Sequence, residues 1–135
     1  MNPPSPMAAS AMVFAGGGAG AVLRYQAGRA MTGWLGPAAV SAFPWATLFV
    51  NVSGSLAMGL LAGWLARHGT GGEHWRLLLG VGLLGGFTTF SSFSLEMMLL
   101  LERGNGPGAF LYASISVLAG LTGLYLGLIV MRLAA

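Results

Sequence analysis

The sequence predicts an all-α membrane protein, and three observations lead to that prediction. Of the 135 residues, 56% are hydrophobic and 7% are charged, whereas a soluble domain contains about 25% charged residues. Formal charge is absent from four long stretches: 1–23, 30–66, 77–95 and 104–131. A helix needs about 20 apolar residues to cross the hydrocarbon core of a bilayer. The 23 glycines, spread through these apolar runs, are typical of closely packed membrane helices rather than of flexible linkers.

The charge-free stretches place four membrane helices at about 10–30, 44–66, 75–101 and 108–132, within one domain covering 10–135. Pro44 suits the first turn of the second helix, and the glycine-rich segment 104–108 predicts a tight turn before the fourth. Residues 1–9 are expected to form a short disordered tail. This tail lacks the basic region of a cleaved signal peptide.

Tryptophans and glycines support these helices. Trp34 and Trp45 flank the first predicted loop, and Trp64 and Trp75 flank the second, as expected of rings at the membrane–water interface; burial in a core is the alternative. Each helix also carries two glycines four residues apart, a spacing that lets membrane helices approach closely without identifying the partner helix. The pairs are Gly16–Gly20, Gly59–Gly63, Gly82–Gly86 and Gly123–Gly127.

The arginines give no preferred orientation in the membrane. They divide equally between the side that holds the termini and the opposite side: Arg67, Arg76 and Arg132 against Arg24, Arg29 and Arg103. Because orientation follows the excess of positive charge, a balanced chain is expected to insert both ways and to form an inverted, dual-topology homodimer. A single topology with a weak bias is the alternative. Eight helices would also enclose a pathway more readily than four.

Residues that carry chemistry in enzymes are scarce, and we do not expect an enzyme. Cysteine is absent, and no paired carboxylates or Ser–His–Asp set lie at membrane depth. His68, Glu73 and His74 have weak metal-binding spacing, and a solvated loop explains them better. The net charge of +3 is too small and too scattered for a nucleic-acid-binding surface.

Asn51 is the first polar residue expected at membrane depth. It lies about two turns into the second predicted helix, with Ser55 and Gly59 on the same face. An unpaired polar group in lipid costs several kcal/mol, so Asn51 must pair or line a pathway. One interpretation is a hydrogen-bonded clamp between helices. The other is a carboxamide that donates to an anion while it accepts from a neighbour.

The stretch 85–94, GGFTTFSSFS, is a poor helix interior and predicts a broken third helix. Backbone carbonyls released at a break could bind a hard cation such as Na⁺. The hydroxyls of Thr89, Ser91 and Ser92 could donate to an anion. Phe90 and Phe93 would stack along one face, where ring edges carry partial positive charge. Simple packing of these side chains is the alternative.

Further polar residues extend this set. Tyr112, Ser116 and Gly120 recur every four residues and form a weakly polar stripe on the fourth predicted helix. Glu96 lies one turn beyond Phe93 in the third. Arg24, near the end of the first helix, would either extend to the interface or face a vestibule and concentrate anions there.

Three segments of the chain together resemble the Fluc/CrcB family of fluoride channels. They are GGAGA at 17–21 leading to Arg24-Tyr25, TLFVNVSG at 47–54, and GGFTTFSSFSLE at 85–96. The last is highly specific, and the resemblance covers nearly the whole chain after the tail. It implies an antiparallel homodimer of four-helix subunits with two pores. Such a dimer exports toxic fluoride passively through the inner (plasma) membrane.

Carried over by position, the resemblance also implies roles for individual residues. The pore Asn falls on Asn51, and the two pore phenylalanines fall on Phe90 and Phe93. Backbone carbonyls of Gly85 and Thr88 from both subunits would hold a central structural Na⁺. The neighbouring and downstream polar residues are Ser91, Ser92, Glu96, Tyr112 and Ser116. Two positions depart from the family pattern, since Ala46 replaces a usual Gly and Gly120 stands where a hydroxyl is expected.

Two other functions remain open at this point. A small dual-topology, proton-coupled multidrug exporter needs a carboxylate within the membrane, and Glu96 is its one candidate. A non-transporting assembly subunit would use the polar cluster for packing alone.

Overall fold

The computed structural model describes residues 3–68 and 72–134. The first half contains α1 (Pro6–Leu35), α2 (Pro37–Ala42) and α3 (Trp45–His68). The second half contains α4 (Glu73–Trp75), a π-helix (Arg76–Leu84), α5 (Gly85–Phe87), α6 (Phe90–Glu102) and α7 (Gly106–Leu133). The helical segments from Glu73 to Glu102 together form one apolar span. Within these described ranges, four spans are therefore long and apolar enough to cross a membrane, and the predicted all-helical fold with four spans is confirmed.

The first helix is longer than predicted at both ends. It begins at Pro6 rather than near residue 10, because the Ser5 hydroxyl accepts a hydrogen bond from the Ala8 N–H at 3.3 Å and proline is favourable in a first turn. Residues 6–9, expected in the tail, are therefore helical. The helix continues to Leu35 and ends at Gly36, whose φ of +84° favours glycine. The expected tail residues 1 and 2 lie outside the described part of the chain.

The short α2 was not predicted. Pro37 opens it and it ends six residues later at Ala42, before Phe43 takes an extended conformation. A helix of this length shows too little periodicity to be recognised in a sequence. It fills the expected first loop and connects α1 to α3.

The four glycine pairs pack the spans into two close helix pairs within one subunit. A Cβ atom at Gly16 would collide with the Leu78 carbonyl oxygen, and one at Gly86 with the Gly17 carbonyl oxygen, so α1 lies directly against the π-helix and α5. Similarly, a Cβ at Gly59 would collide with the Leu124 carbonyl oxygen, so α3 lies directly against α7. The glycine spacing thus predicted close packing correctly, and the structure identifies the partners.

Aromatic side chains mark the helix ends and the small core. Trp34, Trp45 and Trp75 are exposed at helix ends, which agrees with interfacial rings and not with core burial. Trp64 is half-buried and stacks on His68, with ring centroids 4.0 Å apart. The buried cluster between α6 and α7 consists of Leu100, Ala109 and Tyr112, with Phe43, Leu48, Phe93 and Met97 packed against it.

Candidate functional site

The third span is interrupted at Thr88 and Thr89. Both residues have extended backbone angles, with ψ of 158° and 123°, so α5 ends at Phe87 and α6 begins at Phe90. Two consecutive β-branched residues after two glycines favour this conformation over a helix. The Thr88 N–H and hydroxyl both donate to the Leu84 carbonyl, at 3.0 and 2.9 Å. Polar backbone groups next to the interruption therefore need partners outside the usual helical pattern.

Asn51 of α3 supplies those partners for Thr89. Its Nδ2 donates to the Thr89 carbonyl oxygen at 3.0 Å, and the Thr89 N–H donates to Asn51 Oδ1 at 2.8 Å. In a continuous helix that N–H would bond the Gly85 carbonyl, so Asn51 diverts the usual donor from Gly85. The structure therefore shows the clamp that one interpretation of Asn51 expects. An amide nitrogen carries a second N–H, which keeps the anion-donor interpretation compatible with the clamp.

Three hydroxyl groups gather at the start of α6. Thr89 caps the helix, because its Oγ1 accepts from the Ser92 N–H at 3.2 Å. The Oγ atoms of Ser91 and Ser92 each lie 3.2 Å from Thr89 Oγ1. Thr89 is buried, Ser92 is half-buried and Ser91 is exposed. The hydroxyls that the sequence proposed as a set are therefore neighbours in space.

A cavity of about 290 Å³ lies at the interruption. Asn51, Thr88, Thr89 and Phe90 line it together with Gly54, Ser55, Met58 and Leu124. Phe90 is 79% exposed, although it lines this cavity beside Asn51 and Thr89. Asn51 and Phe90 thus line the same cavity.

The aromatic rings continue from this cavity towards α7. The ring centroids of Phe90 and Phe93 are 5.7 Å apart, and those of Phe93 and Tyr112 are 5.1 Å apart. Both pairs are tilted rather than parallel, which brings ring edges towards neighbouring faces. The two predicted phenylalanines and Tyr112 therefore form one continuous row.

Glu96 is held at the far end of this row by two hydroxyl groups. Thr47 Oγ1 donates to Glu96 Oε1, and Tyr112 OH donates to Glu96 Oε2, both at 2.7 Å. Thr47 is buried, and sequence reasoning missed it as a site residue. It lies four residues before Asn51, on the same helical face, and this spacing was the available signal.

Other sequence-predicted residues do not join these contacts. Arg24 lines a separate cavity of about 490 Å³ with Arg29. Ser116 Oγ is buried, and no hydrogen-bond partner is found for it within the described ranges. Glu73 pairs with Arg76 at 2.7 Å, and the described residues contain no group of three metal-ligating side chains around His68 or His74.

These features define a multi-pass helical membrane protein with a polar cluster built into its third span. A profile of the family described as CrcB-like protein, Camphor Resistance (CrcB), matches residues 11–128. The chain belongs to this family.

Three relatives illustrate the similarity. A protein of Novosphingobium aromaticivorans named fluoride-specific ion channel FluC is 64% identical over 126 residues, covering 93% of this chain and 98% of the relative. Proteins of the same name from Erythrobacter litoralis and Sphingopyxis alaskensis are 54% and 55% identical. They cover 96% and 89% of this chain, and 96% and 92% of the relatives. The family resemblance expected from the three sequence segments is therefore confirmed.

Proposed function

We propose that this protein is a passive, fluoride-selective channel that exports toxic fluoride across the cell's inner membrane. The observation that carries the proposal is the shared cavity of Asn51, Thr89 and Phe90 at the interruption of the third span. The relatives named fluoride-specific ion channels, at 54–64% identity over nearly their whole lengths, support the choice of ion. We infer no catalytic reaction.

Fluoride is small and strongly hydrated, so a selective pathway must replace its water with densely placed donors. The second N–H of Asn51 and the hydroxyls of Ser91 and Ser92 supply such donors beside the cavity. The edges of the Phe90 and Phe93 rings add weakly positive contacts and exclude water. Tyr112, Ser116 and Glu96 would form the downstream part of the pathway, where Thr47 and Tyr112 already satisfy both oxygens of the Glu96 carboxylate.

We propose that two subunits assemble as an antiparallel, dual-topology homodimer with two pores, and that α5 and α6 are the halves of a broken membrane helix. The equal division of six arginines between the two sides supports dual insertion. The 79% exposure of Phe90 in one subunit supports a second subunit that completes the wall of the pathway. Without a second subunit, the polar groups that line the pathway would face lipid and lack hydrogen-bond partners.

A structural Na⁺ between the two subunits is consistent with the backbone at the interruption. Asn51 takes the N–H donor that would otherwise bond the Gly85 carbonyl, and the extended ψ of Thr88 turns its carbonyl out of the helical pattern. Carbonyl oxygens are suitable ligands for a hard cation. We propose that Gly85 and Thr88 hold the ion, which would supply fixed positive charge where two interrupted helices meet.

The exporter alternative gains no support. An exporter would need Glu96 to exchange protons and cations, whereas both oxygens of Glu96 accept hydrogen bonds from neighbouring side chains. If Glu96→Gln abolished efflux of organic cations driven by a pH gradient, the exporter would replace the channel.

Fluoride-electrode efflux from reconstituted vesicles tests the proposal. The wild type should release fluoride far faster than empty vesicles while chloride remains nearly impermeant. Phe90→Ile should sharply reduce fluoride release. Phe110→Ile is the matched control, because Phe110 is 76% exposed on α7 and does not line the cavity at the interruption. Release no faster than from empty vesicles would contradict the channel and favour a non-transporting subunit.

Dual topology has a separate test. The chain has no cysteine, so Ala134→Cys adds a single thiol on the side that holds the termini. An impermeant thiol reagent should label this variant from both faces of the cell membrane. Labelling from one face alone would contradict dual topology and leave the fluoride test unaffected.

A further inference from the structure

Two cavities meet where α2 approaches the start of α3. One, of about 490 Å³, is lined by Arg24, Arg29 and five further residues. The other, of about 160 Å³, is lined by Glu96, Arg103 and six further residues. Val40 and Ala46 belong to the lining of both. Val40 and Ala46 are apolar and border both cavities, and we call this pair the apolar wall between the arginine-lined cavity and the cavity at Glu96.

The charges on the two sides of this wall favour anions in the larger cavity. Its lining includes two arginines, and the described residues that line it include no carboxylate. Such a cavity raises the local concentration of small anions. In the smaller cavity, Arg103 is held in place because its guanidinium donates to the Ser41 carbonyl oxygen at 2.8 Å. A cation thus lies on each side of the apolar wall.

Ala46 belongs to the longer of the two helices that form the wall, and it directly precedes a residue that contacts Glu96. It lies in the first turn of α3, a 24-residue helix, whereas Val40 lies in the six-residue α2. The next residue, Thr47, donates its hydroxyl hydrogen bond to Glu96. The Ala46 methyl group therefore stands at the point where an ion from the arginine cavity would reach the Thr47–Glu96–Tyr112 contacts.

We propose that Ala46 is a constriction that controls the passage of fluoride between the arginine cavity and the Glu96 cavity. The inference rests on the proposed channel function and adds a residue that sets its rate. A narrow apolar wall opposes a hydrated ion, because the ion must lose water there without gaining a donor. A larger side chain at position 46 should close the passage, and glycine should widen it.

The absence of cysteine makes a single-thiol test possible. Ala46→Cys is treated with an anionic or a cationic methanethiosulfonate reagent of similar size. The two arginines should make the anionic reagent react about tenfold faster. Modification should then strongly reduce fluoride efflux from vesicles. Ala42→Cys is the control, since Ala42 is exposed on α2 and lines neither cavity; it should show no charge preference and unchanged efflux.

Two further variants distinguish a constriction from a structural role. Ala46→Gly should increase fluoride efflux several-fold and Ala46→Val should decrease it, whereas damage to the fold would lower efflux in both. A thiol that neither reagent modifies, or unchanged efflux from both Ala46→Val and the modified thiol, would overturn the inference while the wild type still conducts. A wild type that carries no fluoride would overturn the proposed function, and the inference with it.

Discussion

Two regions of this subunit solve the same problem, the close approach of helices in lipid, by opposite means. Where α1 meets the π-helix and α5, side chains are absent: Gly16, Gly20 and Gly86 bring backbone directly against backbone. Where α3 meets the interruption, a side chain makes the contact, because Asn51 forms hydrogen bonds with both the N–H and the carbonyl of Thr89. The first contact depends on shape and the second on pairing. We infer that the glycine contact determines how the helices pack. The Asn51–Thr89 contact holds the residues of the candidate site in position.

The largest expected effect breaks the glycine contact. Gly16→Val places a side chain against the Leu78 carbonyl oxygen and the backbone of Gly82. Neither group can move aside easily, because both belong to the helix backbone. Overpacking of this kind costs about 3 kcal/mol. Thermal unfolding in detergent should show a large loss of stability or no folded protein.

Gly18→Val is the matched control for this prediction. Gly18 lies on the same helix, and no neighbouring heavy atom of the described residues lies within 4 Å of the position of an added Cβ. If both variants were equally stable, the α1 contact would not depend on shape.

The second prediction breaks the polar contact. Asn51→Ala removes both hydrogen bonds to Thr89 and leaves its N–H and carbonyl without these partners, which costs about 2 kcal/mol. Fluoride efflux should fall by more than the loss of folded protein accounts for, because Asn51 also lines the cavity.

Ser53→Ala provides the comparison within α3. The Ser53 hydroxyl donates to the Phe49 carbonyl of its own helix at 2.6 Å, so its removal should alter neither stability nor efflux appreciably. Wild-type efflux from Asn51→Ala would separate the clamp from the pathway and contradict a direct role for Asn51.

These regions also differ in how far the sequence predicts them. Charge-free runs and four-residue glycine spacing are local, so the four spans and their close packing could be predicted. The partner of each glycine pair could not, since pairing depends on contacts far apart in the chain. The spacing of Thr47 from Asn51 was visible, but its partner was not, because the hydrogen bond to Glu96 joins residues 49 positions apart. The π-helix was also missed, because its hydrogen bonds join residues five apart instead of four, a difference that hydropathy does not register.

The third prediction has a smaller expected effect and tests the hydrogen bonds to Glu96. Thr47→Val keeps the shape of the side chain and removes one of the two donors to Glu96, leaving Tyr112 in place. The free energy of unfolding should fall by about 1 kcal/mol, and fluoride efflux should decrease. Thr122→Val, at an exposed position of α7, should change neither measurement. Equal effects of the two variants would show that Glu96 does not depend on Thr47.

The smallest expected effect is stabilising and concerns Gly120 of α7, four residues after Ser116. A Cβ added there would lie 3.5 Å from Ser55 Oγ, an ordinary contact distance, so this glycine is not required by packing. Gly120→Ser should stabilise the protein by about 0.5 kcal/mol, because serine is the better helix former. It also extends the stripe of Tyr112 and Ser116 by one hydroxyl beside Ser55, and fluoride efflux should rise or stay the same. A loss of stability larger than that of Gly18→Val would show that α7 needs glycine at this position for close packing.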